Sequence, residues 1–320
     1  MIVNIYENTP KPLPIEDDDK EAVIEPLTVT ENGEYTAPEG VDGYNPVNVN
    51  VQSGGGDTRL KELIEGTLTE LYDADITSVT TSAFRSKSSL VEVNLPNVEQ
   101  VGMNAFDGCK NLKTVNCPKI TRVNHSSFNR CSALESIDFP YLKSLDSYSF
   151  AACNNVETIN LPSVTYIGND NGLGGKVEHL VLPKVDTLRS SAVSRYFGFS
   201  LDLPVIAKIS EASSIAAFGL KALILRNTDT MVTLVSSGLL SPLHITGTVN
   251  STYNPNGDKD GYIYVPRMFL SDEDETKDYR RATNWTAYGA DRFRAIEDWT
   301  VDGTVNGEMD WEKIKGGATA

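Results

Sequence analysis

No run of 18 apolar residues occurs in this 320-residue chain, so the sequence offers no membrane-spanning helix. The opening residues, MIVNIYENTPKPLP, lack both a basic start and an apolar stretch. That pattern does not read as a secretory signal peptide and sets the expectation of cytoplasmic synthesis. Basic residues are scarce: 28 Lys and Arg stand against 44 Asp and Glu, for a formal net charge of −16 and a pI near 4.6. Such a surface repels phosphate backbones and anionic lipid, so neither nucleic acid nor membrane insertion is expected. There are three histidines, and no G-x-S-x-G or H-E-x-x-H pattern to house a hydrolytic nucleophile or a zinc ion. Four cysteines form no C-x-x-C pair, which argues against a zinc knuckle. Coiled-coil heptads are missing too, so nothing visible trimerises the chain; homo-oligomerisation stays open.

What the chain does have is a repeat. Phe84, Phe106, Phe128 and Phe150 fall 22 residues apart, as do Leu90, Leu112, Leu134 and Val156. Val93, Val115, Ile137 and Ile159 keep the same step, followed by Pro96, Pro118, Pro140 and Pro162, and by Val101, Val123, Leu145 and Ile167. A period in this range marks a solenoid of stacked coils. Within one coil, Leu90-x-x-Val93-x-Leu95 reads as a leucine-rich-repeat strand with three inward side chains, and Pro96 ends it for want of an N–H. Ala105-Phe106 reads as a short helical turn that returns a bulky ring to the core, with a small residue (Ala83, Ala105, Ser127, Ser149) before each Phe.

The phase carries on with slippage through Leu180-x-Leu182-Pro183, Leu201-x-Leu203-Pro204, Leu223 and Leu225, with Leu173, Val193 and Ile215 in the Phe slot. Counting from Leu68, it predicts about nine or ten 21–22-residue coils ending near Ile245 or at Val265-Pro266, a stack on the order of 40 Å long. Leu68 and Leu71 lie 22 residues before Leu90 and Val93, which assigns them to the first coil. Cys109, Cys131 and Cys153 recur once per coil, and Cys117 takes the Leu95 slot; periodic placement makes them a buried apolar column instead of a disulfide framework.

The expected architecture is an α/β repeat, a leucine-rich-repeat solenoid with parallel strands on one face, flanked by smaller parts. Residues 1–25, with three prolines and the run Glu16-Asp17-Asp18-Asp19, read as an extended acidic arm. Residues 26–56 read as a small β module, with turn dipeptides Asn32-Gly33 and Asp42-Gly43 and alternating Val47, Val49 and Val51, ending in a Ser-Gly-Gly-Gly linker. Residues 57–66 read as a helix with Asp57 as N-cap, covering the open end of the stack. The solenoid is placed at 67–266. Residues 267–320 read as a C-terminal cap and tail, with a helical stretch at 267–296 carrying Tyr279, Ala282, Trp285, Tyr288, Phe293 and Ile296.

Chemistry-bearing constellations are poor. His125 falls at a variable position, His179 at an outward strand position, and neither these nor His244 has a second ligand at strand or helix spacing. Gly172-Leu173-Gly174-Gly175-Lys176 fails the phosphate-loop spacing and reads as a shortened turn. Asn169-Asp170-Asn171-Gly172 lacks the spaced carboxylates of a calcium loop. No catalytic residue, cofactor site or metal site is assigned. The remaining candidate is a surface: the outward strand positions Glu92, Asn94, Thr114, Asn116, Ser136, Asp138, Thr158, Asn160 and His179, two rows of mostly amide and hydroxyl groups suited to hydrogen bonding a glycan or protein.

The A-F…C…L…V-x-L-P cadence resembles the BspA-like leucine-rich repeats over roughly residues 64–245, although Val98, Ile120, Leu142 and Val164 stand where leucine-rich repeats in general carry an Asn column. The N-terminal TVTENGEYTAPEGVDGYNPVNVNV resembles a module of tail-associated proteins from phages of Gram-positive bacteria. LKELIEGTLTEL, and IYVP followed by Tyr279…Ala282-Thr283-Asn284-Trp285, look similar to the same proteins. This resemblance implies a non-enzymatic virion protein of the tail, made in the host cytoplasm, joined to other tail proteins through the N-terminal module and displaying its repeat face to a host-surface glycan or protein. The same repeats also occur in bacterial surface adhesins, which is the first alternative. A glycan-degrading tail enzyme, with two carboxylates flanking a glycosidic bond, is the second.

Overall fold

A computed structural model describes residues 68–316 except Asp75, Gly172, Gly174, 195–197, 210–214, 217–218, 237–242 and Tyr253, together with the backbone of four strands in the first 50 residues. The linker at 53–56 and the expected helix at 57–66 lie outside the described residues.

Short strands, each with an apolar central residue, recur once per coil. Glu70–Tyr72, Glu92–Asn94, Thr114–Asn116, Ser136–Asp138, Thr158–Asn160, His179–Val181, Ser200–Asp202 and Ala222–Ile224 begin 21 or 22 residues apart. Neighbours pair parallel wherever a ladder forms, as in Leu71↔Val93↔Val115 and Leu180↔Leu201↔Leu223. These spacings make about seven regular coils of a parallel β-solenoid. Tyr262–Val265 and Phe293–Ala295 extend the same sheet, but the steps to them lengthen to 40 and 31 residues. The expectation of nine or ten coils counted such wider steps as coils. On the next side, two-residue strands from Ser78–Val79 to Thr187–Leu188 form a six-stranded parallel sheet, and Lys208–Ile209 pairs with Thr233–Leu234 beyond it.

The core runs as columns between these sheets. Val93, Leu95, Val98 and Val101 are fully buried, and their equivalents in later coils are buried too, apart from the partly buried Ile159. Phe84, Phe106, Phe128 and Phe150 stack with centroids 5.2, 5.2 and 5.3 Å apart and planes within 10° of parallel. Offset stacking of this kind adds about 0.5–1.5 kcal/mol per pair beyond area burial. All four cysteines are buried free thiols. The Sγ of Cys109, Cys131 and Cys153 donate to the carbonyls of Phe84, Phe106 and Phe128 at 2.9, 3.2 and 3.1 Å, so each thiol satisfies the Phe turn one coil away.

Three expectations change. The return segment is a pair of tight turns, with left-handed residues two before and two after the ring (Asn104 at φ 54° and Gly108 at φ 77° around Phe106), and not a helical turn. Ile2–Tyr6, at the start of the expected arm, is a strand paired antiparallel with Pro46–Asn50, and its Ile and Val residues favour extended backbone; residues 7–25 lie outside the described residues. Thr28–Val29 pairs with Tyr35–Thr36. Residues 267–296 form no long helix. Four short 3-10 turns, at Arg267–Phe269, Glu275–Lys277, Trp285–Tyr288 and Ala290–Arg292, lead into the strand Phe293–Ala295. Asn284 at φ 67° interrupts any α-helix there. The aromatic contacts form nonetheless: Tyr279, Trp285, Tyr288 and Phe293 are buried in the main core. Tyr279 Oη accepts from Val232 N, and Trp285 Nε1 donates to Val232 O at 2.8 Å.

Candidate binding surface

In a parallel strand with one face inward, every second side chain must point out. Glu70, Tyr72, Glu92, Asn94, Thr114, Asn116, Ser136, Asp138, Thr158 and Asn160 take these positions, exposed or half-exposed, around inward Leu71, Val93, Val115, Ile137 and Ile159. Register aligns them in two rows: Glu70, Glu92 and Thr114 with Ser136 and Thr158, and Tyr72, Asn94 and Asn116 with Asp138 and Asn160. The second row is cross-linked from coil to coil. Asn116 Nδ2 donates to Asn94 Oδ1 at 3.1 Å, and Asn160 Nδ2 to Asp138 Oδ1 at 2.8 Å. Eight of the nine expected residues are therefore brought together on one open face.

His179 is not among them. The C-terminal helix Trp311–Lys315 covers it: the Trp311 ring stacks on the imidazole with centroids 4.0 Å apart, and Lys315 Nζ meets Glu178 Oε1 at 2.5 Å. His179 Nδ1 lies 2.8 Å from Ser200 Oγ, and burial holds its pKa below the usual histidine value. Val181 in the same strand is still exposed, and from Ser200 on the outward face is covered by the protein itself. Ala222, Ile224 and Tyr264, outward in their strands, form a second core with Ile296, Trp299 and Met309. Asp202 is buried as well, paired with Arg226 at 2.7 Å; Arg226 also donates to Val305 O and Gly307 O, pinning the covering loop. Burial raises the Asp202 pKa above the ordinary carboxylate range, and the guanidinium pulls the other way.

The other candidates stay where bland readings put them. His125 is exposed and meets the Tyr148 ring edge-on at 5.4 Å. His244 pairs with Asp260. At Gly175 (φ 49°) an added Cβ would stand 2.3 Å from Val156 O, so the glycine there serves a tight turn. Among the described residues, no group of three or more His, Cys, Asp or Glu could hold a metal ion, and no helix is long and apolar enough to cross a membrane. Sequence reasoning missed the covered half of the face, although Ala222, Ile224, Tyr262 and Tyr264, apolar or aromatic at outward positions, signal two-sided burial.

The family description "BspA type Leucine rich repeat region" matches in six copies across residues 73–195. No curated protein matches the chain. Among solved structures, the chain is similar to a Treponema pallidum leucine-rich repeat protein (22% identity, TM-score 0.42, covering 61% of this chain and 86% of that one). It is similar also to a leucine-rich cell surface protein of Faecalibacterium prausnitzii (18%, TM-score 0.36, 55% and 59%) and to a leucine-rich repeat protein of Bacteroides ovatus (18%, TM-score 0.34, 77% and 71%). Residues 73–195 thus match the BspA-type leucine-rich repeat model, and their coils and inward columns are those of a leucine-rich-repeat solenoid.

Proposed function

We propose that this protein is a non-enzymatic recognition protein that binds a partner through the open half of its strand face. The observation that carries the reading is the division of that face. The chain buries its own outward positions at Ser200, Asp202, Ala222, Ile224 and Tyr264, yet leaves two aligned rows of hydrogen-bonding side chains uncovered from Glu70 to Asn160. A repeat array presents such a surface rigidly, because each coil is fixed by its neighbours.

In the setting we favour, the protein sits in the tail of a phage, held to other tail proteins by the N-terminal module, with the coils facing a host-surface glycan or protein. The support for this is the resemblance of the N-terminal stretch and of the segments bracketing the repeats. A bacterial cell-surface adhesin is supported equally by the repeat family. Deleting residues 1–55 separates the two. Loss of the protein from purified virions, with the coils still folded, supports the tail setting; presence of the intact protein on uninfected cells supports the adhesin. A glycan-degrading role would require new reducing ends when the purified protein is incubated with host cell-wall polysaccharide.

A further inference from the structure

One sheet face carries two chemistries here, and the contrast bears on the partner. Where the chain covers its own sheet, the outward positions include Ala222, Ile224 and Tyr264, packed under Trp299 and Met309, beside the polar Ser200 and Asp202, with Arg226 fastening the cover. Aromatic, aliphatic and Arg anchors in a desolvated centre are what a protein–protein patch is made of. Between Asn94 and Asn160 the open half has no such anchor. Its outward side chains are amides, hydroxyls and the Asp138 carboxylate, spaced one coil apart. A protein partner would have nothing large to bury there.

Charge narrows the chemistry further. None of the ten outward residues is Lys or Arg, while Glu70, Glu92 and Asp138 are acidic, so phosphate- or carboxylate-bearing partners are repelled. A neutral, hydroxyl-rich chain suits what remains, because a hydroxyl both donates to carboxylate and amide oxygens and accepts from amide N–H groups. The rows repeat at ~4.8 Å, the spacing of adjacent strands. That is close to the advance of one pyranose ring along an extended glycan, so successive sugar units would meet the same kind of group pair. At the end of one row Tyr72, 50% exposed, places an aromatic side chain beside the terminal sugar.

We infer that the open strand face binds a neutral, extended polysaccharide at about one sugar unit per coil over the coils from Glu70 to Asn160. The inference rests on the proposed recognition role of this face and gives that role a ligand class.

The test titrates the full chain with cello- and chito-oligosaccharides of increasing length, with dextran as a flexible neutral control and hyaluronan as an extended anionic one. The expected result is that affinity for a β-1,4-linked series climbs with length and levels off at about five units, while dextran and hyaluronan bind more weakly. The combined variant Asn94→Ala, Asn116→Ala, Asn160→Ala should lose about tenfold or more, and Lys208→Ala on the neighbouring sheet should lose nothing. Binding by neither series, no gain beyond two units, a preference for hyaluronan, or full affinity in the triple variant overturns the inference. If face variants abolish attachment to cells while neither series binds, this inference falls and the recognition role stands. If face variants leave attachment intact, the recognition role itself falls.

Discussion

Trp311 lies on His179, ring on ring at 4.0 Å and 20°, and so ends the open strand face at the coil that begins with Thr158. The contact joins the last helix to a mid-chain strand and is reinforced by the Lys315–Glu178 ion pair. Trp311 is only half-buried, and the helix is five residues long. Replacing Trp311 with Ala should therefore cost only about 1–2 kcal/mol in denaturant unfolding. Hydrogen exchange should rise at residues 178–181 and 311–316 without rising at 222–225. A loss of protection spread through the whole second core would show that this helix is integral to the fold.

Acid should loosen the same contact. The His179 pKa is lowered by burial, so the docked helix favours the neutral ring. Glu178 opposes this shift and Lys315 adds to it. The contribution is fully present above the ordinary histidine value and is lost as pH falls through the depressed one. The fluorescence of Trp311, in a variant with Trp285 and Trp299 replaced by Phe, should report release on acidification; an invariant signal down to pH 5 would count against it.

Arg226 is the fastening of the covered half. Arg226→Met leaves Asp202 buried without its partner and frees the Val305 and Gly307 carbonyls, so we expect a loss of about 3–5 kcal/mol at neutral pH. The sign of the pH effect follows from the raised Asp202 pKa. Without Arg226 that pKa rises further, and protonation removes the buried charge, so the penalty of the variant should shrink as pH falls from the higher value toward the parent's. Urea unfolding of both proteins at several pH values checks it.

The thiol column is closed to solvent. Burial pushes the Cys117 and Cys153 thiols up to about 12 and holds Cys131 well above its usual value. An aromatic disulfide reagent at pH 8 should titrate essentially no thiol in the native protein and all four in denaturant. In the adjoining column, Phe128→Ala removes a ring stacked between Phe106 and Phe150 and should cost about 3–5 kcal/mol.

The repeat phase made much of this legible in the sequence. A fixed 22-residue step dictates which residues stack, so the inward columns, the buried thiols, the place of Leu71 opposite Val93 and eight outward residues could all be read from it. His179 could not, because its cover arrives from the other end of the chain, with Lys315 137 residues beyond Glu178. The left-handed turn positions keep no single residue type: Ser82, Asn104, Ser126 and Tyr148 all adopt positive φ. The aromatic spacing of Tyr279, Ala282, Trp285 and Tyr288 fits 3-10 turns and α-helix alike, and Asn284 decides between them only once its φ is known.

The most direct measurement of the central claim is attachment of the purified protein, fluorescently labelled, to a panel of Gram-positive cells, before and after the open face is blocked. Asn116→Arg with Thr158→Arg places two long cations on exposed positions of the two rows without touching the core. The account predicts that this variant stays folded and loses attachment by about tenfold or more, while Lys208→Glu on the adjacent sheet attaches like the parent. Equal attachment by the double Arg variant and the parent would contradict it.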